Sequence, residues 1–209
     1  MTSQAAAKAV APVRSDSAGA FFRPVAALYL REDSIYFDLP GVDCWPASRD
    51  AFGFAGRDPV IAHPPCRLWS RMRAFSTAPD SERETGFHAV RCVQLNGGVL
   101  EHPAHSSLWD ACSLPGPGEG FDRFGGWTLP VVQFWWGHRA MKATWLYIRG
   151  CAPGDIPAYP LVLGESPRVI NTRKRGSRPE VSKREREATP PKFAQWLVEL
   201  ARRCEGAQQ

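Results

Sequence analysis

Two short polar segments can carry nucleophilic chemistry, and each follows an apolar run that reads as a buried strand. The first is HPPC at residues 63–66, and the second is EHP at residues 101–103. Proline lacks a backbone donor and fixes φ, so each segment ends the strand before it. The thiol of Cys66 is a candidate nucleophile, with a metal ligand or a small apolar group in a turn as alternatives. The carboxyl group of Glu101 is a candidate acid, with a solvated strand end as the alternative.

Strands that alternate with helices must position these two segments. Apolar and β-branched runs predict strands at 25–30, 59–62, 98–103, 130–136 and 143–150, and helical patterns lie at 81–95, 106–112 and 190–203. This alternation is typical of an α/β domain. We therefore predict a single Rossmann-like α/β domain with a mostly parallel sheet. Ligands of such sheets bind outside the carboxyl ends of the strands, where Cys66 and Glu101 are both expected.

Length and composition predict one globular domain. The chain has 209 residues, is 44% hydrophobic, and contains six cysteines with no CxxC pair. These values predict one sizeable core and reduced thiols in a cytoplasmic protein. No apolar run approaches the roughly 20 residues of a membrane span, so no membrane partner is expected. We expect a flexible N-terminal tail at 1–23, a domain at 24–203 and a tail at 204–209, with 151–190 as a basic, Pro-rich insertion.

Positive charge is concentrated before the last helix. Residues 173–187 read RKRGSRPEVSKRERE, with seven lysines and arginines against three glutamates. Such a run suits contact with nucleic-acid phosphates, and Arg173, Lys174 and Arg175 are the predicted contacts. A solvated loop is the alternative.

The order of four segments resembles that of the cytosine-C5 DNA methyltransferases. In that family a Pro-Cys loop supplies a thiolate, a Glu-Asn-Val segment supplies an acid, a basic segment leads into a strand, and a final helix follows. The similar segments here are PPCRLWS (64–70), VLEHP (99–103), GHRAMKATWLYIRG (137–150) and EREATPPKFAQWLVELA (185–201). The chain also resembles compact proteins of phage and prophage genomes that carry HPPC and EHP.

The resemblance implies a nucleic-acid base-modifying enzyme. Cys66 would attack C6 of a cytosine, and Glu101 would act as an acid near N3 of the ring. The resemblance further implies substrate contacts from Pro65, Arg67, His138, Arg139 and Lys142. A free cysteine has a pKa of about 8.5, so we expect the neighbouring Arg67 and His63 to lower the pKa of Cys66. A target base in DNA must leave the duplex or already be single-stranded. A free nucleotide is the alternative substrate.

The cofactor segment departs from the family pattern. The resemblance implies S-adenosylmethionine, approached through a glycine-rich loop after the first strand, but residues 31–36 contain no glycine. The cofactor is therefore expected to sit differently, with Asp43 and Asp50 as ribose partners, or not to bind; a partner subunit could complete its pocket. The alternative function is an inactive methyltransferase-like protein that binds nucleic acid or a partner.

Histidine spacing leaves a third alternative open. His63, Cys66, His102 and His105 have ligand-like spacings, although structural zinc normally uses paired cysteines, which this chain lacks. A zinc-dependent hydrolase or nuclease would use these four residues.

Overall fold

The computed structural model describes residues 23–170 and 178–206 and shows an α/β architecture built on a six-stranded sheet. The strands are β1 (Val25–Leu30), β2 (Val42–Pro46), β3 (Val60–Ala62), β4 (Gly98–Pro103), β5 (Gly126–Val132) and β6 (Ala143–Arg149). The α-helices are α1 (Arg83–Asn96), α2 (Leu108–Ala111), α3 (Lys183–Glu187) and α4 (Pro191–Arg203). Within these described residues, no helix is both long and apolar enough to cross a bilayer.

The sheet is mostly parallel, with strand order β2-β1-β3-β4-β6-β5. The pairs β1–β2, β1–β3 and β3–β4 are parallel, whereas β6 runs antiparallel to both of its neighbours. The carboxyl ends of β1 to β5 therefore lie at one edge, together with the start of β6. We call this edge the carboxyl edge.

One helix covers each face of the sheet. Successive residues of a strand point to opposite faces, so the two helices cover alternate residues of each strand. The α4 face buries Ile61 and Val99, whereas the α1 face buries Val60 and Leu100. By the same alternation His63 and Glu101 belong to the α4 face, and His102 belongs to the α1 face.

Glycine sets the close approach of β3 and β4. Gly97 ends α1 with a φ of 76°, and Gly98 opens β4 with a φ of 122°. A Cβ atom at Gly98 would lie 2.0 Å from the backbone oxygen of Val60. Only glycine fits here, so this contact fixes the register that brings the two polar segments to the same edge.

One predicted strand is wrong at its end, and the first residues of the predicted C-terminal tail are packed against the domain. The strand predicted at 130–136 ends at Val132, and Gln133–Trp136 form a 3-10 turn closed by Gly137 in the left-handed region. The C-terminal tail was predicted to begin at Cys204, but this side chain is fully buried and the amide of Glu205 donates to Gly150. The predicted N-terminal tail lies outside the described residues, except for Arg23.

Candidate functional site

A hydrogen bond joins the two polar segments at the carboxyl edge. His63 follows β3, and its Nδ1 lies 3.1 Å from Oε2 of Glu101 in the neighbouring strand. The other ring nitrogen, Nε2, lies 3.0 Å from the hydroxyl of Tyr36. An ionised carboxylate only accepts hydrogen bonds, so Nδ1 of His63 must carry the hydrogen on the Glu101 side.

The second oxygen of Glu101 is held by an amide. Nε2 of Gln133 donates to Oε1 of Glu101 at 2.9 Å and lies 3.0 Å from Oγ1 of Thr144. The carboxylate orients this amide, since reversing it would place two acceptors face to face. Oε1 of Gln133 is then buried without a hydrogen-bond partner among the described residues. It is an unused acceptor beside the candidate site.

Glu101 is ionised at neutral pH. Its side chain is only 12% exposed, and burial alone would raise its pKa. The hydrogen bond from His63 and the positive charge of Lys142 outweigh burial and lower the pKa of Glu101 to about 2. In the free protein Glu101 is therefore an acceptor of hydrogen bonds and holds no proton to donate.

Cys66 lies three residues after His63 and is exposed at the carboxyl edge. Burial by the surrounding protein raises the pKa of its thiol, and the negative charge of Glu101 raises it further. Lys142 opposes both effects. The expectation that Arg67 and His63 lower the pKa of this thiol is wrong in its net direction, because burial and Glu101 outweigh the nearby positive charge. Arg67 is itself paired with Glu82, with its Nε 2.6 Å from Oε1 of that residue.

The predicted substrate contacts have different surroundings in the structure. Lys142 acts electrostatically on both Cys66 and Glu101, so the structure brings these three residues together. His138 is buried and bonds to the backbone of Ala140, which leaves it away from solvent. Pro65 is half-buried in the loop before Cys66.

Arg139 is already engaged. Its guanidinium donates to both carboxylate oxygens of Glu185 in α3. The remaining predicted contacts, Arg173, Lys174 and Arg175, lie outside the described residues.

The segment after β1, where the resemblance implies that S-adenosylmethionine binds, does not fit this cofactor. Tyr29, near the end of β1, has a φ of 61°, where glycine would give open space, and its ring packs edge-on against Phe52. Arg31 then pairs with Asp33 and with Glu187 in α3, so charged side chains cross the exit of β1.

The two predicted ribose partners have other contacts. Asp43 is the second residue of β2 and accepts from Arg49 and from the indole of Trp45. Asp50 caps a 3-10 turn by accepting from the amide of Phe52. Neither carboxylate stands free at the carboxyl edge.

The predicted zinc set is not brought together. Across residues 23–170 and 178–206, no group of three or more histidine, cysteine, aspartate or glutamate residues is arranged to hold a metal ion. His105 packs on Trp145, with ring centroids 4.8 Å apart. His102 is fully buried on the α1 face, and neither of its ring nitrogens makes a hydrogen bond of good geometry with the described residues, although the backbone of Pro64 and Pro65 is close enough to affect its pKa. Burial lowers the pKa of His102 to about 4, so the ring is neutral at pH 7.

An aromatic groove of about 340 Å³ adjoins the site. Trp135, Trp145 and His105 contribute its rings, and Thr144 contacts both this groove and the Gln133 amide. Sequence reasoning missed Tyr36, Gln133 and Thr144 as site residues. The signal for Gln133 was one uncharged polar residue within the apolar run at 130–136.

No protein-family model, curated protein or solved structure matches this chain. Interpretation of the carboxyl edge therefore depends on its own geometry. That geometry places an exposed thiol, a buried carboxylate and a lysine together, beside an aromatic groove.

Proposed function

We propose that this chain is a nucleic-acid base-modifying enzyme of cytosine-C5 methyltransferase descent, with Cys66 as its nucleophile. The observation that carries the proposal is the 3.1 Å hydrogen bond between His63 and Glu101. It ties the Pro-Cys loop to the acidic segment across two adjacent parallel strands, with the Cys66 thiol exposed three residues further on.

The strand order supports a Rossmann-like fold for this domain. The chain runs outward from β1 to β2 and then returns to the other side of β1 to form β3 and β4. Sheets with such a reversal bind ligands at the carboxyl ends of the strands beside it. Here that place lies between Arg31 and His63, next to the candidate site.

The proposed reaction is a reversible covalent addition. An unpaired cytosine places C6 at Cys66, whose thiol releases its proton to water as the Sγ–C6 bond forms. The electron pair of the C5–C6 double bond moves to C5, and C5 takes a proton from water. Loss of the original C5 hydrogen then restores the double bond and expels the thiolate.

Two charged groups would assist this addition. The Glu101 carboxylate accepts a hydrogen from the exocyclic amino group and so orients the ring, while Lys142 stabilises the developing thiolate. A carboxylate beside the free acceptor of Gln133 favours a base that presents an amino group, which distinguishes cytosine from thymine or uracil.

The test is exchange of the C5 hydrogen, which needs no cofactor. Single-stranded DNA labelled with tritium at C5 of cytosine should release label to water with the wild-type protein, and Cys66→Ser should abolish release. Because the pKa of the thiol is raised, the rate should increase as the pH rises above about 8. Label release that is equal in wild type and Cys66→Ser would end this proposal.

A second candidate function is supported by the side chains that lie across the end of β1. Tyr29 and the Arg31 ion pairs favour a methyltransferase-like protein without catalytic activity that binds nucleic acid. Calorimetry with S-adenosylmethionine should then show no saturable heat. Salt-sensitive binding of an oligonucleotide, without exchange at C5, would favour this binder over the enzyme.

A further inference from the structure

A short charged segment crosses the candidate site. We call residues 182–188 the strap; it contains the five-residue helix α3, and none of the α3 side chains is buried. The strap is anchored on both sides, because Val181 before it and Pro190 after it are buried. Its middle is therefore held by polar contacts and not by core packing.

On one side of the strap these contacts reach the loop that follows β1. Oε2 of Glu187 lies 3.0 Å from the guanidinium of Arg31. Arg184 pairs with Asp33 of the same loop, also at 3.0 Å. The strap and this loop therefore each contribute one cation and one anion to these two ion pairs.

On its other side the contacts reach the segment that leads into β6. Glu185 accepts two hydrogen bonds from Arg139, and the backbone oxygen of Ala188 lies 3.4 Å from Nζ of Lys142. The negative charge of Glu187 is also close enough to raise the pKa of Cys66. The strap therefore passes beside the thiol and occupies cations that line the carboxyl edge.

We infer that the strap is an internal competitor for nucleic-acid phosphates, in which Glu185 and Glu187 hold the guanidinium groups of Arg139 and Arg31 that a bound single strand would contact. This inference rests on the proposed function for its ligand class and adds the surface that binds the phosphates. The strap is displaced when a strand binds.

The chemistry of the contacts matches this exchange. A guanidinium presents paired donors that suit a carboxylate and a phosphate equally well. Solvent-exposed ion pairs contribute little to stability, so a polyanion can replace them. Because the anchors lie outside the strap, α3 can lift without disturbing the core.

The experiment is fluorescence anisotropy with a labelled 12-nucleotide single strand, as DNA and as RNA of the same sequence. Glu185→Gln with Glu187→Gln removes two negative charges from the strap. The matched control is Glu84→Gln with Glu199→Gln, which removes two exposed carboxylates from α1 and α4. Thermal unfolding of both double variants checks that each is folded.

The strap variant should bind at least fivefold more tightly than the control variant. Its slope of log affinity against log salt should stay within about 0.7 of the control's, because a displaced strap leaves the same phosphate contacts in both complexes and each contact of a single strand contributes roughly 0.7. Adding Arg139→Ala should remove most of the gain. The DNA and RNA arms identify which strand is preferred.

Equal affinities for the strap and control variants would overturn the inference, as would absence of binding to either strand by all variants. A strap effect in the absence of C5 exchange would support the strap and reject the catalytic proposal. The two failures are therefore distinguishable.

Discussion

Nδ1 of His63 and Oε2 of Glu101 are 3.1 Å apart, and this contact spans two strands whose residues are 38 positions apart in the chain. The imidazole thereby supplies a donor to a carboxylate that burial would otherwise neutralise. The same contact fixes the direction in which the loop carrying Cys66 leaves the sheet. His63 therefore contributes both to the ionisation of Glu101 and to the link between the two polar segments.

Acid stability should report the ionised Glu101. Its folded pKa, about 2, lies below its ordinary value of 4.5, so its contribution is present above pH 4.5 and is lost as the pH falls toward 2. A shift of this size corresponds to about 3 kcal/mol. Wild type should lose about that much more free energy of unfolding than Glu101→Gln between pH 5 and pH 2, measured by urea unfolding. Identical slopes in the two proteins would contradict the assignment.

The buried His102 should produce a separate pH dependence at higher pH. Its folded pKa, about 4, lies below its ordinary value of 6.5, because burial disfavours the charged ring. The unfolded chain then binds more protons between pH 6.5 and pH 4, so stability falls by about 3 kcal/mol across that window. His102→Leu should abolish this loss in urea unfolding. Persistence of the loss would show that another group causes it.

Alkylation of Cys66 should depend on Lys142 and not on Arg67. Lys142 lowers the pKa of the thiol, whereas the guanidinium of Arg67 is bound to Glu82. Lys142→Met should slow iodoacetamide labelling at pH 8 severalfold, and Glu101→Gln should accelerate it. Arg67→Met is the matched control and should leave the rate within about twofold. Mass spectrometry of the peptide that contains Cys66 separates this thiol from the other five cysteines.

Replacement of Gly98 should damage the sheet that carries the site. A Cβ atom there would lie 2.0 Å from the backbone oxygen of Val60, and its φ of 122° is unfavourable for other residues. Gly98→Ala should lose at least about 3 kcal/mol of unfolding free energy in urea titrations. Gly53→Ala meets no atom within 4 Å and should change it by less than about 0.5 kcal/mol. A mild effect at Gly98 would argue against the observed approach of β3 and β4.

The strands and helices that a single local pattern determines were predictable from the sequence. The apolar run of 25–30 matches β1, and the stripe of Phe193, Trp196 and Leu197 is buried in α4 as expected. The edge strand β2 was missed because its residues are half-exposed and include Pro46, which weakens any strand signal.

Contacts between residues that are far apart in the sequence could not be predicted in the same way. Placement of Cys66 after β3 and of Glu101 in the last half of β4 followed from the rule for parallel sheets. The pairing of Arg67 with Glu82 did not follow, because it depends on how a loop folds back before α1. Likewise, Tyr36 reaches His63 only through a 3-10 turn after β1, which leaves no periodic pattern in the sequence.

Adjacent residues of β4 carry opposite electrical preferences on the two sides of the sheet. Glu101 is stabilised as an anion by its neighbours, and His102 is uncharged among packed apolar side chains. Sliding this strand by one position would exchange the two environments, leaving an unmatched negative charge in the interior and an imidazole where the anion belongs. Insertion or deletion of a single residue between α1 and β4 is therefore penalised twice, so the length of that connection is set by charge as well as by shape.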